Sequence, residues 1–207
     1  MPVVPVLTLS PALSLSPSPS PPSHANYITP AHVHSSHSAT TAIVIQSDLH
    51  VLSEAKVDFD ADFGKQYGLT KGVLVNDDEG EVFAPVAMWL EAIDLVLSRL
   101  KENGAPLHRI RAVSGACQQH GSVYWNHDAE KLLGGLDGRA GKGLKDLLAG
   151  SLSHPFAPNW QDHSTQAQCD EFDAALRDNT KLADVTGSAA HHVSLTPTHI
   201  RSAHGGI

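Results

Sequence analysis

Cysteine is nearly absent: Cys117 and Cys169 are the whole complement among 207 residues. Two thiols cannot build a disulfide framework, and so sparse a use fits a reducing, cytoplasmic setting. Basic residues are scarce too, with 14 Lys and Arg against 22 Asp and Glu, a net charge of −8. A nucleic-acid surface needs clustered Lys and Arg to neutralise phosphates, and no such cluster occurs. No uninterrupted apolar run approaches the roughly 18 residues of a spanning helix, so a membrane is not an expected partner either. The first basic side chain is Lys56. A secretory leader would lack its basic start, and a transit peptide its arginines.

Proline and serine, by contrast, crowd the beginning. Residues 1–40 carry so many of both that no helix or strand ladder is expected there, since each Pro removes a backbone donor and fixes φ. The apolar residues near Met1 are too sparse to offset the entropy of ordering, which predicts a disordered tail over 1–40. The remaining length suffices for one domain.

Alternation starts at Thr41. The β-branched run Ala42-Ile43-Val44-Ile45, the turn-like Ser47-Asp48 and a second run from Val51 to Phe59 predict a hairpin. Residues 60–82 read as a long excursion with a short strand near Gly72–Val75. Pro85 opens a helix whose apolar stripe is Val86, Trp89, Leu90, Ile93, Leu97 and Leu100, with Gly104 past its end. Trp89 on that stripe is a core residue. Arg109–Val113 then leads into Ser114-Gly-Ala-Cys-Gln-Gln-His-Gly-Ser122, with Val123-Tyr-Trp125 extended again. Residues 126–150 suggest a short helix plus loop. Asn159-Trp-Gln-Asp-His-Ser-Thr165 precedes another helix, capped by Asp162 or Ser164, with Cys169, Phe172 and Leu176 buried. A last short helix near Lys181–Val185 stops at Gly187. Mixed strands and helices argue an α/β fold, with ligands expected where strands end.

Fourteen histidines invite a metal reading. The close sets are His32/His34/His37, Cys117/His120 and His191/His192, but no C-x-x-C or H-E-x-x-H accompanies them, so no metal site is assigned. Cys117 with His120 lacks an orienting partner for nucleophilic work. Gly138–Gly143 only superficially resembles the phosphate-loop pattern, because no hydroxyl residue comes after Lys142. His120 remains. It lies just past a predicted strand, between Gln119 and Gly121, in a polar turn able to hydrogen-bond sugar oxygens. Taken alone, an ordinary loop histidine explains it as well.

The segment Ser114–Trp125 resembles the SGAGQQHGS-type stretch of the xylulose-kinase branch of the FGGY carbohydrate-kinase family. The likeness extends over about residues 41–192. It includes Ser47–Leu49, Glu54–Phe59, Glu79–Pro85 with Met88-Trp89, Ser153–Phe156, Asn159–Thr165 and Val185–His192. The resemblance implies an incomplete ribonuclease-H-like (actin-like) domain, a mixed sheet with flanking helices. It also implies transfer of the γ-phosphoryl of ATP, with Mg²⁺, to the 5-hydroxyl of D-xylulose. Within that family the His of the QQHG turn contacts the sugar, which carries over to His120; Gln119 and Trp160 join it as substrate-binding candidates. Phosphoryl transfer depends mainly on positioning, so a pocket that orients one hydroxyl matters to rate.

Two departures bound the reading. Relatives open with a strand and a G-x-D-x-(S/T)-T turn facing the ATP phosphates, whereas His34–Thr41 has neither the Gly nor the Asp. That strand and turn are expected to be missing or replaced, leaving the hairpin with an unpaired neighbour. After His192, Val193–Ile207 resembles nothing in the family and reads as an unrelated tail, as intron read-through at Val193-Ser194 would produce. The catalytic Asp, its neighbouring Asn and the adenosine-binding part lie beyond that point in relatives, so no residue is assigned to catalysis or to ATP. The expectation is a truncated, inactive kinase domain. A non-catalytic kinase-like sugar-binding or regulatory protein, or a kinase for another sugar, are the alternatives.

Overall fold

The computed structural model describes residues 28–36, 38–118, 121–138, 141–178 and 180–191. Most of both expected tails, 1–27 and 193–207, lies outside them. Strand β1 spans Ile28–Ser35, β2 Ala39–Gln46 and β3 Val51–Asp58. Helix α1 covers Phe59–Tyr67, followed by β4 (Leu74–Asn76), β5 (Glu81–Pro85) and the long α2 (Val86–Glu102). Then come β6 (Val113–Cys117), α3 (Ala129–Gly134), α4 (Leu144–Leu147), β7 (Phe156–Pro158), α5 (Gln166–Leu176) and α6 (Lys181–Thr186). One sheet has the order β3-β2-β1-β6 and a second β4-β5-β7. The first is mixed: β1 runs antiparallel to β2 and parallel to β6. No described helix is long and apolar enough to cross a membrane.

The hairpin forms where the alternation puts it. Ala42 and Val44 of β2 and Ala55 and Val57 of β3 are buried on one face. In the connecting turn Leu49 takes φ 68°, and the Asp48 carboxylate accepts the His50 N–H at 3.1 Å. The hairpin's neighbour, however, is not vacant. Strand β1 lies beside β2, so the ordered part begins at 28 rather than 41, and the expected tail over 1–40 is corrected from that residue on. Pro30 had argued against a strand. It is accommodated because the β1/β2 register shifts between Thr29 and Ala31, and pairing with β6 starts only at Ala31. Its missing N–H therefore interrupts no regular ladder.

Helix α1 replaces the first part of the expected excursion. Asp58 caps it by accepting the Ala61 N–H at 3.2 Å, and Gly68, at φ 72°, ends it in the left-handed region. Its Asp60 carboxylate accepts the Lys71 and Gly72 N–H groups at 2.8 and 2.7 Å, which pins the next loop. Asp62 receives both Arg99 guanidinium nitrogens at 2.8 and 2.6 Å, tying α1 to α2.

Helix α2 starts after Pro85 as expected, its first N–H donated to the Pro155 carbonyl at 3.0 Å. Its buried face is Val86, Met88, Ala92, Val96 and Leu100, rotated from the predicted stripe. Ala92 joins Ala42 and Ala55 of the hairpin in one buried cluster. Leu90 turns instead to a groove with Leu148 and Leu152, and Leu97 is exposed. Trp89 packs against the core as predicted. Asp94 accepts the Leu144 N–H at 2.7 Å and fixes α4. Full burial of a Leu or Met side chain is worth roughly 1.5–3 kcal/mol, so this face is the main source of cohesion.

Candidate functional site

Strand β6 carries the singled-out motif and ends at Cys117, paired with Ser35 of β1. Gln119 and His120, the two candidates from the QQHG turn, lie outside the described residues. Gln118 and Gly121 on either side of them are described. A Cβ on Gly121 would stand 3.6 Å from Gln118 Nε2 and 3.8 Å from the Pro158 carbonyl oxygen. Ser122 donates its N–H to that same carbonyl at 3.3 Å. The backbone at Gly121 and Ser122 thus rests on the end of β7, a strand well further along the chain.

The loop after β7 is built tightly. Asn159 donates its N–H to the Val82 carbonyl at 2.9 Å, and the Val82 N–H returns to Asp162 Oδ2 at 3.0 Å. Asp162 Oδ1 accepts from the Ser164 N–H at 3.2 Å and hydroxyl at 2.6 Å. Asn159 Oδ1 accepts the Gln161 N–H at 2.9 Å. His163 stacks on the turn before β5: a Cβ on Gly80, at φ 68°, would lie 2.8 Å from its ring. The cap of α5 is Thr165, without a side-chain hydrogen bond, rather than Asp162 or Ser164, which are occupied with each other. Of the predicted α5 stripe Cys169 is buried, Phe172 is half-buried and Leu176 is exposed.

Trp160 therefore projects from a braced loop, with 44% of its surface exposed. A half-exposed indole offers an apolar face to sugar C–H groups. Three polar atoms here are buried with no hydrogen-bond partner: Gln118 Oε1, Asn159 Nδ2 and Thr165 Oγ1. Native structures leave few such atoms, and the described residues hold others, on Ser53, Gln168 and Asp173 among them. Gln118 and Asn159 were not singled out in the sequence, where no periodicity marks an unsatisfied amide.

The other chemistry is negative. Cys117 is exposed and Cys169 is buried, and burial, with Asp170 and Asp173 nearby, pushes the Cys169 thiol up. Among the described residues no group of three or more His, Cys, Asp or Glu could hold a metal ion. One member of each histidine set, His37, His120 and His192, lies outside them. In the β1–β2 turn, Ser36 Oγ accepts the Ser38 and Ala39 N–H groups at 3.3 and 3.1 Å. Phosphate cradles need free N–H groups or cations. With those donors consumed and no Lys or Arg between residues 34 and 41, the described part of the turn does not fit a nucleotide phosphate.

The chain matches no family model. It is 60% identical over 151 residues to a probable D-xylulose kinase A of Arthroderma otae, 73% of this chain and 26% of that protein. It is 54% identical over 159 residues to D-xylulose kinase A of Aspergillus niger, 77% of this chain and 27% of that protein. The chain spans about a quarter of the length of these curated relatives. Among solved structures, a xylulose kinase from Rhodospirillum rubrum superposes with a TM-score of 0.56 at 17% identity, over 84% of this chain and 29% of that one. A ligand-bound xylulose kinase from Lactobacillus acidophilus gives 0.56 at 11% identity, over 86% and 28%. At such identities the structures show the fold alone: the expected α/β domain, a mixed sheet with flanking helices.

Proposed function

We propose that this chain, a homologue of the D-xylulose kinases over about three quarters of its length, is the sugar-recognising part of a cytoplasmic ketopentose kinase. D-Xylulose lies against the turn of Gln119 and His120, with Trp160 covering one face. His120 and the Gln119 main chain hydrogen-bond the sugar hydroxyls and fix the direction of the one to be phosphorylated. The observation that carries this reading is the Ser122–Pro158 hydrogen bond of 3.3 Å. It joins the two segments on which the three candidates sit, although the sequence separates them. Positioning is the protein's main contribution to phosphoryl transfer, so a rigid junction of this kind is what the chemistry needs.

Two arms of one experiment test it. Calorimetry should detect D-xylulose binding to the 207-residue chain and its loss in His120→Ala. No binding by the parent chain overturns the proposal. In a coupled assay the chain alone should not consume ATP with D-xylulose, since a quarter of the relatives' length is present and the described β1–β2 turn does not fit a nucleotide phosphate. ATP and Mg²⁺ then belong to other parts of a longer kinase. That same consumed turn favours a second reading, a kinase-like protein that binds sugar without transferring phosphate. Adding the remaining segment of the Arthroderma otae relative in trans separates the two, because only a kinase part would gain turnover.

A further inference from the structure

Strands β5 and β7 pair antiparallel, and at one end of their ladder Phe83 stands opposite Pro158. One step further, Val82 would stand opposite Asn159. A hydrogen-bonded antiparallel pair exchanges two N–H···O bonds. The first of them is present, from the Asn159 N–H to the Val82 carbonyl at 2.9 Å. The second is replaced. The Val82 N–H goes to Asp162 Oδ2 at 3.0 Å, and the Asn159 carbonyl accepts the Asp162 N–H at 3.0 Å. Asp162 thus takes both halves of the missing bond, the donor with its carboxylate and the acceptor with its own N–H.

The chain therefore leaves the sheet in a four-residue turn, Asn159-Trp160-Gln161-Asp162, with Trp160 and Gln161 at its two central positions. Both central residues are exposed, whereas Asn159 and Asp162 at the ends are buried. Asn159 Oδ1 closes the turn a second time by accepting the Gln161 N–H at 2.9 Å. The other carboxylate oxygen of Asp162 accepts from the Ser164 N–H and hydroxyl at 3.2 and 2.6 Å. Both oxygens are thus in use, and an amide, which accepts at one end only, could not serve both sides. We propose that Asp162 is a positioning residue of the sugar site: by ending the strand at residue 159 it fixes the Trp160 indole against the sugar. It makes no sugar contact of its own. This rests on the reading of Trp160 as a sugar contact and adds the residue through which that contact is held. An indole fixed before binding loses less freedom when the sugar arrives, so the brace contributes to affinity.

Asp162→Asn keeps size and shape but must release either Val82 or Ser164. This variant, Trp160→Ala and the double variant are made in the 207-residue chain, compared by circular dichroism and thermal unfolding, and titrated with D-xylulose. Asp162→Asn should weaken binding about tenfold, and Trp160→Ala at least as much. The double variant should bind no more weakly than Trp160→Ala alone, because Asp162 acts through the indole. Acrylamide quenching of residue 160, read as the difference from the matching Trp160→Phe chain, should rise in Asp162→Asn. If Asp162→Asn does not fold, Ser164→Ala removes one donor, leaves the Val82 bond, and carries the same test with a smaller loss. A lowered unfolding midpoint with unchanged sugar affinity overturns the proposal, since the carboxylate would then only brace the fold. Losses that add in the double variant overturn it too, because Asp162 would then act independently of Trp160. A parent chain that binds no D-xylulose removes the sugar reading and this proposal with it. Binding that depends on Trp160 but not on Asp162 overturns this proposal alone.

Discussion

The half of the molecule before residue 106 and the half after it are built to different ends. In the first, the hairpin, α1 and α2 close on one another, and the main apolar cluster runs from Ala42 to Ala105 without a later buried member. In the second, every residue of β6 is exposed, although it is a parallel strand, and parallel strands are ordinarily covered on both faces. Val113, Trp125, Trp160 and Val185 present large apolar surfaces to solvent. The first half holds the main apolar cluster. The second hangs the polar junction on it and leaves faces that a chain nearly three times as long, as in the relatives, has the material to cover.

The sharpest way to break this contrast is to cut a large side chain from each half. Leu100→Ala, from a fully buried position, should lose about 2–5 kcal/mol in denaturant unfolding. Leu176→Ala, at 40% exposure, should change stability by about 0.5 kcal/mol or less. Equal losses would mean that the second half holds the fold as firmly as the first.

A smaller effect concerns the tie between α1 and α2. The Arg99 guanidinium, through two hydrogen bonds, holds the Asp62 carboxyl below its ordinary 3.8, burial opposing it. A carboxyl depressed in the folded state adds stability above its unfolded value, and the gain fades as pH falls through the folded one. Arg99→Met should therefore lose about 1–2 kcal/mol at pH 7, a charge-assisted pair reduced by partial solvent screening. The difference from the parent chain should shrink below about pH 4. A gap that stays constant down to about pH 2 would assign the loss to packing instead.

Next comes the brace behind Trp160. Gly80→Ala puts a Cβ 2.8 Å from the His163 ring at φ 68°, so it meets both a clash and a backbone conformation that disfavours L side chains. A loss of about 1–2 kcal/mol is expected. Adding His163→Ala should recover the steric share alone. Indole fluorescence should report a shifted Trp160 environment in the single variant, which a purely local effect at residue 80 would not produce.

The same contrast explains what could be read in advance. The hairpin and α2 announce themselves because their patterns are local: alternation from Ala42, and apolar steps of three and four from Val86. The rotation of the α2 face was not legible, since which side of the helix is covered depends on what packs against it, the β2–β3 hairpin and α4. Strand β1 was hidden by Pro30, whose bulge only pairing reveals. Helix α1 was hidden because its signals are its caps, Asp58 and Gly68, rather than an apolar stripe. For the site, the motifs around residue 120 and residue 160 stood out separately. Their contact through Ser122 and Pro158 is a tertiary fact.

The smallest effect sought is on the exposed edge of β6. Edge strands in free-standing domains are usually guarded by lysine, proline or a bulge, which stop their open backbone from pairing with another chain. Val113-Ser-Gly-Ala-Cys117 has none of these, and Val113 is 71% exposed. At the opposite edge of the same sheet, β3 carries Glu54, Lys56 and Asp58. One edge is guarded and the other open. Val113→Lys should then leave unfolding stability within about 0.5 kcal/mol of the parent, because it removes no buried contact. Sedimentation at rising concentration should nonetheless show less self-association. Lys56→Val on the guarded edge should do the reverse. If Val113→Lys destabilises the chain while leaving association unchanged, β6 is already covered in solution, and the division between a self-sufficient half and an open half fails.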